Sequence, residues 1–549
     1  MARSAVDTVD RGLDLLERGA FDDALRILGR EARNNRLEAN AQHAYGLALH
    51  RTWQFPQAVE QFLRADRLKP NRWEVQQNLS AAYHGLEDYE ASYACAQRVL
   101  ELRPGYSHAL YHLGDLHQIW GEMREAVDCY DRALVTDPQN PDIWLGKLFA
   151  LDLIDGVSPE DALAARRACA AVFEDAARPF RRPHANRPDP ERRLKIGYIS
   201  GDFRDHTAAY MFGPLYEHHD RDRFMVYSYS SVKQPDSVTD FFRGKSNAWR
   251  IINDCDPRVI AECIREDGID ILIDTGGYTN GGHLPTFAYK PAPLAVQAFG
   301  YLTGSGFETM DAILVDDVLV PPEHEGHFVE RCVRVPYALG FGGINGHVPI
   351  APRLDGAPLT FGHLGRSDKA SRGAVALWSK VLRAYPESRM ILKDRGLRFE
   401  RTRARLLRWF AEEGVSPERI DLRGMTTRGE HLATYNEVDV VLDSVPQGGG
   451  TTTIEGLYMG TPVVTLAGPR IVGRIAATTL HEIGRDEWIA ADEDEYVRLA
   501  GTAASGGGPA LRGEIAASAV FDGRARTRAF EDAMRDLWRA WVSQQRMAA

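Results

Sequence analysis

Two patterns of apolar and polar positions divide the chain. In the first, small residues and prolines return at a fixed beat. Pro70, Pro104 and Pro138 are 34 residues apart, and three further columns keep that interval: Ala24, Ala58, Ser92, Ala126; Gly46, Ser80, Gly114; Ala65, Val99, Ala133. Small residues recurring with a proline stop predict pairs of antiparallel helices whose backbones approach closely, and an unrelated helical bundle would not keep three columns in phase. The second pattern begins at residue 194. Continuous β-branched runs ("LKIGYIS", "FMVYSYSS", "IDILIDTGG", "PLAVQAFG", "AILVDDVLV") and then a second set ("LTFGHLG", "RMILKD", "RIDLRG", "VDVVLDS", "TPVVTLAG") alternate with amphipathic stretches such as "AVALWSKVLRAYP" and "RTRARLLRWFAEEG". Runs of that kind predict parallel strands covered on both faces by helices.

The 34-residue period is that of the tetratricopeptide repeat, a superhelix whose concave face grips other polypeptides. About four repeats, the first degenerate, fit in 1–150. Residues 151–193 change from an acidic helical stretch to the Pro-rich, basic "RPFRRPHANRPDPERR", read as a solvated connector. The two strand sets, parted near 340–357 by a Gly/Pro-rich stretch, predict two Rossmann-like domains, 194–345 and 358–522, facing across a cleft. A final helical segment, 523–549, has apolar spacing suited to packing back across the pair.

Composition narrows the classes. A chain of 549 residues exceeds one core and calls for two to four domains. A formal net charge of −11 argues against sequence-independent nucleic-acid binding. Six cysteines without a C-x-x-C read as buried thiols in a reducing compartment. The beginning "MARSAVDTVDRGLDLLERG" lacks an apolar core of a signal peptide, and no apolar run approaches ~20 residues. The expected setting is the cytoplasm.

Chemistry concentrates in "QGGGTTTIEGLYMGTPVV", 447–464. It has neither the Gly-Lys-Ser/Thr of a Walker loop nor a spaced G-x-G-x-x-G. It follows the strand "VDVVLDS", so a helix starting near Thr451 would aim backbone amides at an anion beyond the carboxyl end of a sheet. Two other motifs carry less. Asp492-Glu493-Asp494 is a literal D-x-D that precedes a helix and reads as an acidic cap. His324-Glu325-Gly326-His327 lacks the helical i, i+4 spacing of a zinc site.

"LKIGYISGDFRDH", "GGYTNGG…YKPAPLAVQAFGYLTGSG", "EHLATYNEVDVVLDS" and "GGTTTIEGLYMGTPVVT" follow one another as in the O-GlcNAc transferase family, and bacterial members resemble this order most. The resemblance covers nearly the whole chain. It implies a tetratricopeptide superhelix followed by an α/β GT-B fold, with the acceptor side in the first Rossmann-like domain and the nucleotide-sugar side in the second. It further implies inverting transfer of a GlcNAc-like sugar from a nucleotide-sugar, UDP-GlcNAc or another, to Ser or Thr of a protein held by the repeats, with no essential metal. By position, Lys369 matches the lysine on the donor diphosphate, Thr451 and Thr452 the threonines at the helix start, Glu455 the ribose-binding acid, and His431 the histidine beside the nucleobase. Arg428, Gly449 and Thr453 fall in the same donor site. His206 matches a histidine near the reacting sugar and acceptor, a candidate general base. Arg366 stands where animal members have Gln, and Gly450 where they have His. Those two departures raise an alternative donor, a CMP-linked nonulosonic acid placed on flagellin. A catalytically decayed repeat scaffold is the other alternative; retention of Lys369, His431, Thr451 and Thr452 weighs against it.

Overall fold

The computed structural model describes residues 2–548 except 345, 347 and 353–355, with side chains over 7–547; part of the stretch near 340–357 thus lies outside the described residues. The chain forms two compact units, 1–118 with 125–143, and 119–124 with 144–549.

The first unit is a run of paired helices: Ala2–Glu17 with Phe21–Asn34, Ala39–Arg51 with Phe55–Leu68, Trp73–Gly85 with Tyr89–Leu102, and Ser107–Ile119 with Met123–Thr136. The in-phase columns explain the pairing. A Cβ on Gly46 would lie 2.6 Å from the Phe62 ring, and one on Gly114 equally close to Tyr130. In the middle repeat the column holds Ser80, which bonds reciprocally with Ser92: each hydroxyl donates to the other's carbonyl at 2.8 Å. Both serines are fully buried, and the exchange satisfies them where an aromatic ring fills the other repeats.

The second unit holds two parallel sheets. The first contains β1 (Leu194–Ser200), β2 (Phe224–Ser230), β3 (Ala248–Ile251), β4 (Ile271–Asp274), β5 (Leu294–Gln297), β6 (Ala312–Val315) and β7 (Arg331–Arg334), in the order 3-2-1-4-5-6-7. The second contains β8 (Thr360–His363), β9 (Arg389–Lys393), β10 (Ile420–Arg423), β11 (Val440–Leu442), β12 (Val463–Leu466) and β13 (Ile489–Ala490), ordered 10-9-8-11-12-13. Every pairing is parallel, and the sequence order of the strands turns round between β1 and β4 and again between β8 and β11. Those are the switch points at which doubly wound sheets open a crevice. The pattern of the sequence missed β3, β7 and β13, which lie at or next to sheet edges: "AWRI" and "RCVR" are half-exposed, so their apolar signal is diluted.

The helix Gly523–Ala548 does not bridge the sheets evenly. Phe530, Met534, Leu537 and Trp538 join the core of the first sheet with Leu194, Ile196 and Tyr198. Residues 178–193 are not a solvated linker either. Asn186 donates to the Asp270 carboxylate (2.7 Å) and to the carbonyl of Ile269, Arg192 pairs with the same acid, and Arg535 donates to the carbonyls of Pro190 and Arg192. Pro-rich backbone lacks donors for a ladder, and side chains of the neighbouring core tie its carbonyls down instead. Cys129 and Cys169 are buried, but Cys255 is exposed, so the thiols are not uniformly interior. Among the described residues no helix is long and apolar enough to cross a membrane.

Candidate active site

Three loops leave the carboxyl ends of strands flanking the switch points: 201–206 after β1, 364–371 after β8, and 443–450 after β11. The last is built around Asp443. Its buried carboxylate accepts the amide of Gly449 and the hydroxyl of Thr465, both at 2.7 Å. The loop must pass so close to this acid that a Cβ on Gly448 would stand 2.8 Å from it, and one on Gly449 would strike the hydroxyls of Thr452 and Thr453. Gly450 is different: an added Cβ would meet only Ile475, at 3.5 Å. Space beside the helix start is therefore open at 450.

The helix Thr451–Tyr458 begins with no side-chain cap. The Thr453 and Ile454 amides bond to the Gly450 carbonyl, but those of Thr451 and Thr452 have no acceptor among the described residues. Two unclaimed donors at a helix start, with the positive end of the helix dipole behind them, favour an anion. Thr453 turns inward: it is buried and donates to the Gly449 carbonyl at 2.9 Å. Gly449 and Thr453 thus shape the loop, while Thr451 and Thr452 present it.

Lys369 reaches this loop from a 3-10 turn, Ser367–Lys369, and donates to the Gly448 carbonyl at 2.6 Å. Burial and the neighbouring Arg366 bring its pKa down to about 8, against the pull of Asp443 and Asp368. Arg366 lies over the face of Phe149, 4.8 Å from the ring centre, pairs with Asp368 at 3.1 Å and donates to Gln447 at 3.2 Å. Its charge is already met by a carboxylate.

Glu455, one turn into the helix, is buried and holds Arg428 at 2.5 Å and His431 at 3.2 Å. Burial pushes this carboxyl up, but the hydrogen bond from His431 and the charge of Arg428 outweigh it, and the net shift is downward. His431 and Arg428 come from the helix Arg428–Thr434, started by a capping box between Thr427 and Glu430. Tyr435 donates to the Thr452 carbonyl at 3.2 Å and locks the two helices together.

On the first sheet, His206 caps the helix Thr207–His218, and its Nδ1 lies 3.2 Å from Asp202 Oδ1 and 3.3 Å from the Ala208 amide. One nitrogen cannot serve both. The charge-assisted contact with the carboxylate is the stronger, so Nδ1 carries the proton and Nε2 is left basic. Burial lowers the pKa of His206; Asp202 opposes this, and Arg204 and Arg366 add to it. The field of Arg366, on the second sheet, therefore reaches His206 on the first.

Of the eleven residues singled out in the sequence, nine fall on these loops or on the helix Thr451–Tyr458; Arg428 and His431 come from the helix after β10 and reach Glu455 from there. Sequence reasoning missed Asp443, Asp202, Gln447 and Tyr301. The first two sit at strand ends, where "LDS" and "GDF" give no signal beyond an acid after a strand. Asp492 accepts the Glu495 amide at 2.8 Å as the cap of Glu493–Thr502, as its motif suggested.

Comparisons with known proteins follow the same division of the chain. A tetratricopeptide-repeat family model matches 9–72 and 82–141. The chain is similar to the probable UDP-N-acetylglucosamine--peptide N-acetylglucosaminyltransferase SPINDLY of Oryza sativa subsp. japonica, 33% identical over 430 residues covering 76% of this chain and 46% of that protein. It is 23% identical over 480 residues to the UDP-N-acetylglucosamine--peptide N-acetylglucosaminyltransferase of Caenorhabditis elegans, covering 64% and 41%. The chain thus spans about half the length of the curated relatives it matches. Among solved structures it resembles a mutant Thermobaculum terrenum O-GlcNAc transferase, with a TM-score of 0.83 and 30% identity over 92% of this chain and 98% of that one. The family model described as Glycosyl transferase family 41 matches 162–348 and 360–531, a span that takes in both sheets and every loop of the site. The chain belongs to glycosyl transferase family 41.

Proposed function

We propose that this protein moves an N-acetylglucosamine-like sugar from a nucleotide-sugar, UDP-GlcNAc first among them, to a Ser or Thr hydroxyl of a polypeptide recruited by the helical repeats. The observation that carries the reading is that Lys369, from the loop after β8, bonds the same glycine loop at whose end the Thr451 and Thr452 amides stay unclaimed. A leaving nucleoside diphosphate gathers negative charge in the transition state, and preorganised donors in a half-buried site stabilise it most there. Glu455, braced by Arg428 and His431, is suited to ribose hydroxyls. In a single displacement the acceptor oxygen bonds to the anomeric carbon as the bond from that carbon to the diphosphate breaks, which inverts the centre. The hydroxyl proton passes to His206 Nε2, and the departing electron pair stays on the diphosphate.

Arg366 bears on the alternative donor. A guanidinium committed to Asp368 and Gln447 offers less to an extra carboxylate than a lone one, which favours UDP-GlcNAc over a CMP-linked acidic sugar. The test is hydrolysis of UDP-GlcNAc and of a CMP-linked acidic sugar by the full chain, with intact masses of candidate acceptor proteins before and after incubation. Addition of one N-acetylhexosamine mass, lost in Lys369→Ala, supports the proposal. Turnover of the CMP donor alone, or of neither, refutes it. Because Lys369 and the amides supply the positive charge, transfer is expected to persist in EDTA.

A further inference from the structure

Lys393, the last residue of β9, is 4% exposed, and no carboxylate among the described residues pairs with its ammonium. Its three protons meet three neutral oxygens: the Thr426 hydroxyl at 2.7 Å, the Thr434 hydroxyl at 2.8 Å and the Glu430 carbonyl at 3.4 Å. The two acids whose fields reach it are committed elsewhere. Glu430 accepts the amide and the hydroxyl of Thr427, and Glu437 takes both terminal nitrogens of Arg423. Burying a cation without a paired anion is costly, and a methionine of similar length would fill the space without that cost. What the ammonium supplies is three directed bonds.

All three acceptors lie along one short helix, Arg428–Thr434. Thr426 precedes its cap, Thr427; Glu430 is in its first turn, and Thr434 ends it. One side chain thus ties both ends of the helix to β9. From its other side the helix gives Arg428 and His431 to Glu455 on the helix Thr451–Tyr458. Seven residues make too few internal bonds to hold a helix in place, so outside contacts set its position against Glu455. Lys369 and the Thr451 and Thr452 amides, where a diphosphate would sit, share no bond with Lys393. We propose that Lys393 is a positioning residue for the nucleoside half of a donor nucleotide: it sets the helix Arg428–Thr434 so that Arg428 and His431 brace Glu455, and touches neither nucleoside nor phosphate itself. This inference rests on the reading of the site as one for a nucleotide-sugar.

The test is calorimetric titration of the full chain with inorganic pyrophosphate and with UDP, CDP, ADP and GDP; the nucleotide that binds tightest serves as the probe. Wild type should bind it at least about tenfold more tightly than pyrophosphate. Lys393→Met should weaken the nucleotide about tenfold or more, leave pyrophosphate within about twofold, and keep the melting temperature within about 4 °C. Thr434→Val removes a single acceptor and should weaken the nucleotide about threefold, with pyrophosphate again unchanged. Should Lys393→Met fail to fold, Thr434→Val decides by the same split. In a chain carrying Arg428→Ala and His431→Ala, adding Lys393→Met should cost less than about twofold, because the helix then has nothing left to position. Equal loss of nucleotide and pyrophosphate in a folded variant, unchanged nucleotide affinity, or a further loss of about tenfold in the double-alanine chain would overturn the assignment. A wild type that prefers no nucleotide over pyrophosphate removes the nucleotide-sugar reading itself, and the assignment with it.

Discussion

Gln447 donates from Nε2 to the Tyr301 hydroxyl at 3.1 Å, a bond that joins the glycine loop of one sheet to the loop after β5 of the other. Tyr301 in turn donates to Asp152 at 3.0 Å, and the Gln447 oxygen accepts from Arg366. Arg366 is therefore oriented from both sheets, and the Tyr301 ring lies against the same Phe149 that Arg366 covers. Tyr301→Phe removes one donor and one acceptor from a buried chain, at a cost of about 1–3 kcal/mol. The donor KM is expected to rise several-fold with kcat nearly kept. A double-mutant cycle with Arg366→Gln should be non-additive; strict additivity would mean that Tyr301 does not act through Arg366.

Lys369 sets a pH dependence with a definite sign. Its pKa is lowered to about 8, so the ammonium is present below that pH and lost above it. The kcat/KM for the donor should fall along a basic limb near pH 8. Arg366 is one of the causes of the lowering, so Arg366→Gln should move that limb to higher pH. A limb that stays in place, or none below pH 10, counts against Lys369 as the charge on the diphosphate.

His206 governs the acid side. Burial holds its pKa below the ordinary histidine value of 6.5, and Asp202 is the group that pulls it back up. Activity should therefore fall as pH drops through a value under 6.5. Asp202→Asn should lower that value further and reduce kcat by about 10²-fold or more, because it also releases Nδ1. A wild-type profile flat down to pH 5 would leave His206 as a residue that positions the acceptor.

Adjacent glycines should respond in opposite ways. Gly449→Ala drives a methyl into Thr452, Thr453 and Asp443, and is expected to lose about 1–3 kcal/mol of stability and most donor affinity. Gly450→Ala meets only Ile475 at ordinary contact distance and should be nearly silent. Thermal melts and UDP titration of the two variants check this contrast.

The repeats can be separated from the chemistry only with care. Residues 119–124 and 144–152 belong to the unit that holds the sheets, and Phe149 lies under Arg366, so removing 1–150 would damage the proposed donor site. Removing 1–103 spares both. It should raise the KM for a protein acceptor many-fold and leave donor hydrolysis within about twofold. Equal loss of the two activities would make the repeats a structural support.

Much of this was legible in the residues themselves. Columns such as Gly46 and Gly114 are visible because a single steric demand, an aromatic ring one helix away, repeats at a constant interval. The two sheets are visible because buried parallel strands must be apolar on both faces. The loop 443–450 announces itself through its glycines. What stayed hidden depends on residues far apart in the chain: Tyr301 and Asp152 meet across 149 positions, and Asn186 reaches Asp270 across 84. No local pattern marks an acid or amide whose partner is chosen by the packing of two sheets and a connector.

The helix Gly523–Ala548 has a consequence for how the molecule is made. During synthesis from the first residue onward, β1 to β7 leave the ribosome some two hundred residues before Phe530, Met534 and Trp538, which complete the core of their sheet. Over that interval, Leu194, Ile196 and Tyr198 lack their final cover, the condition in which nascent chains aggregate or engage chaperones. The second sheet can assemble while the first waits, so the part of the site built on the first sheet should be the last part of the newborn protein to become firm.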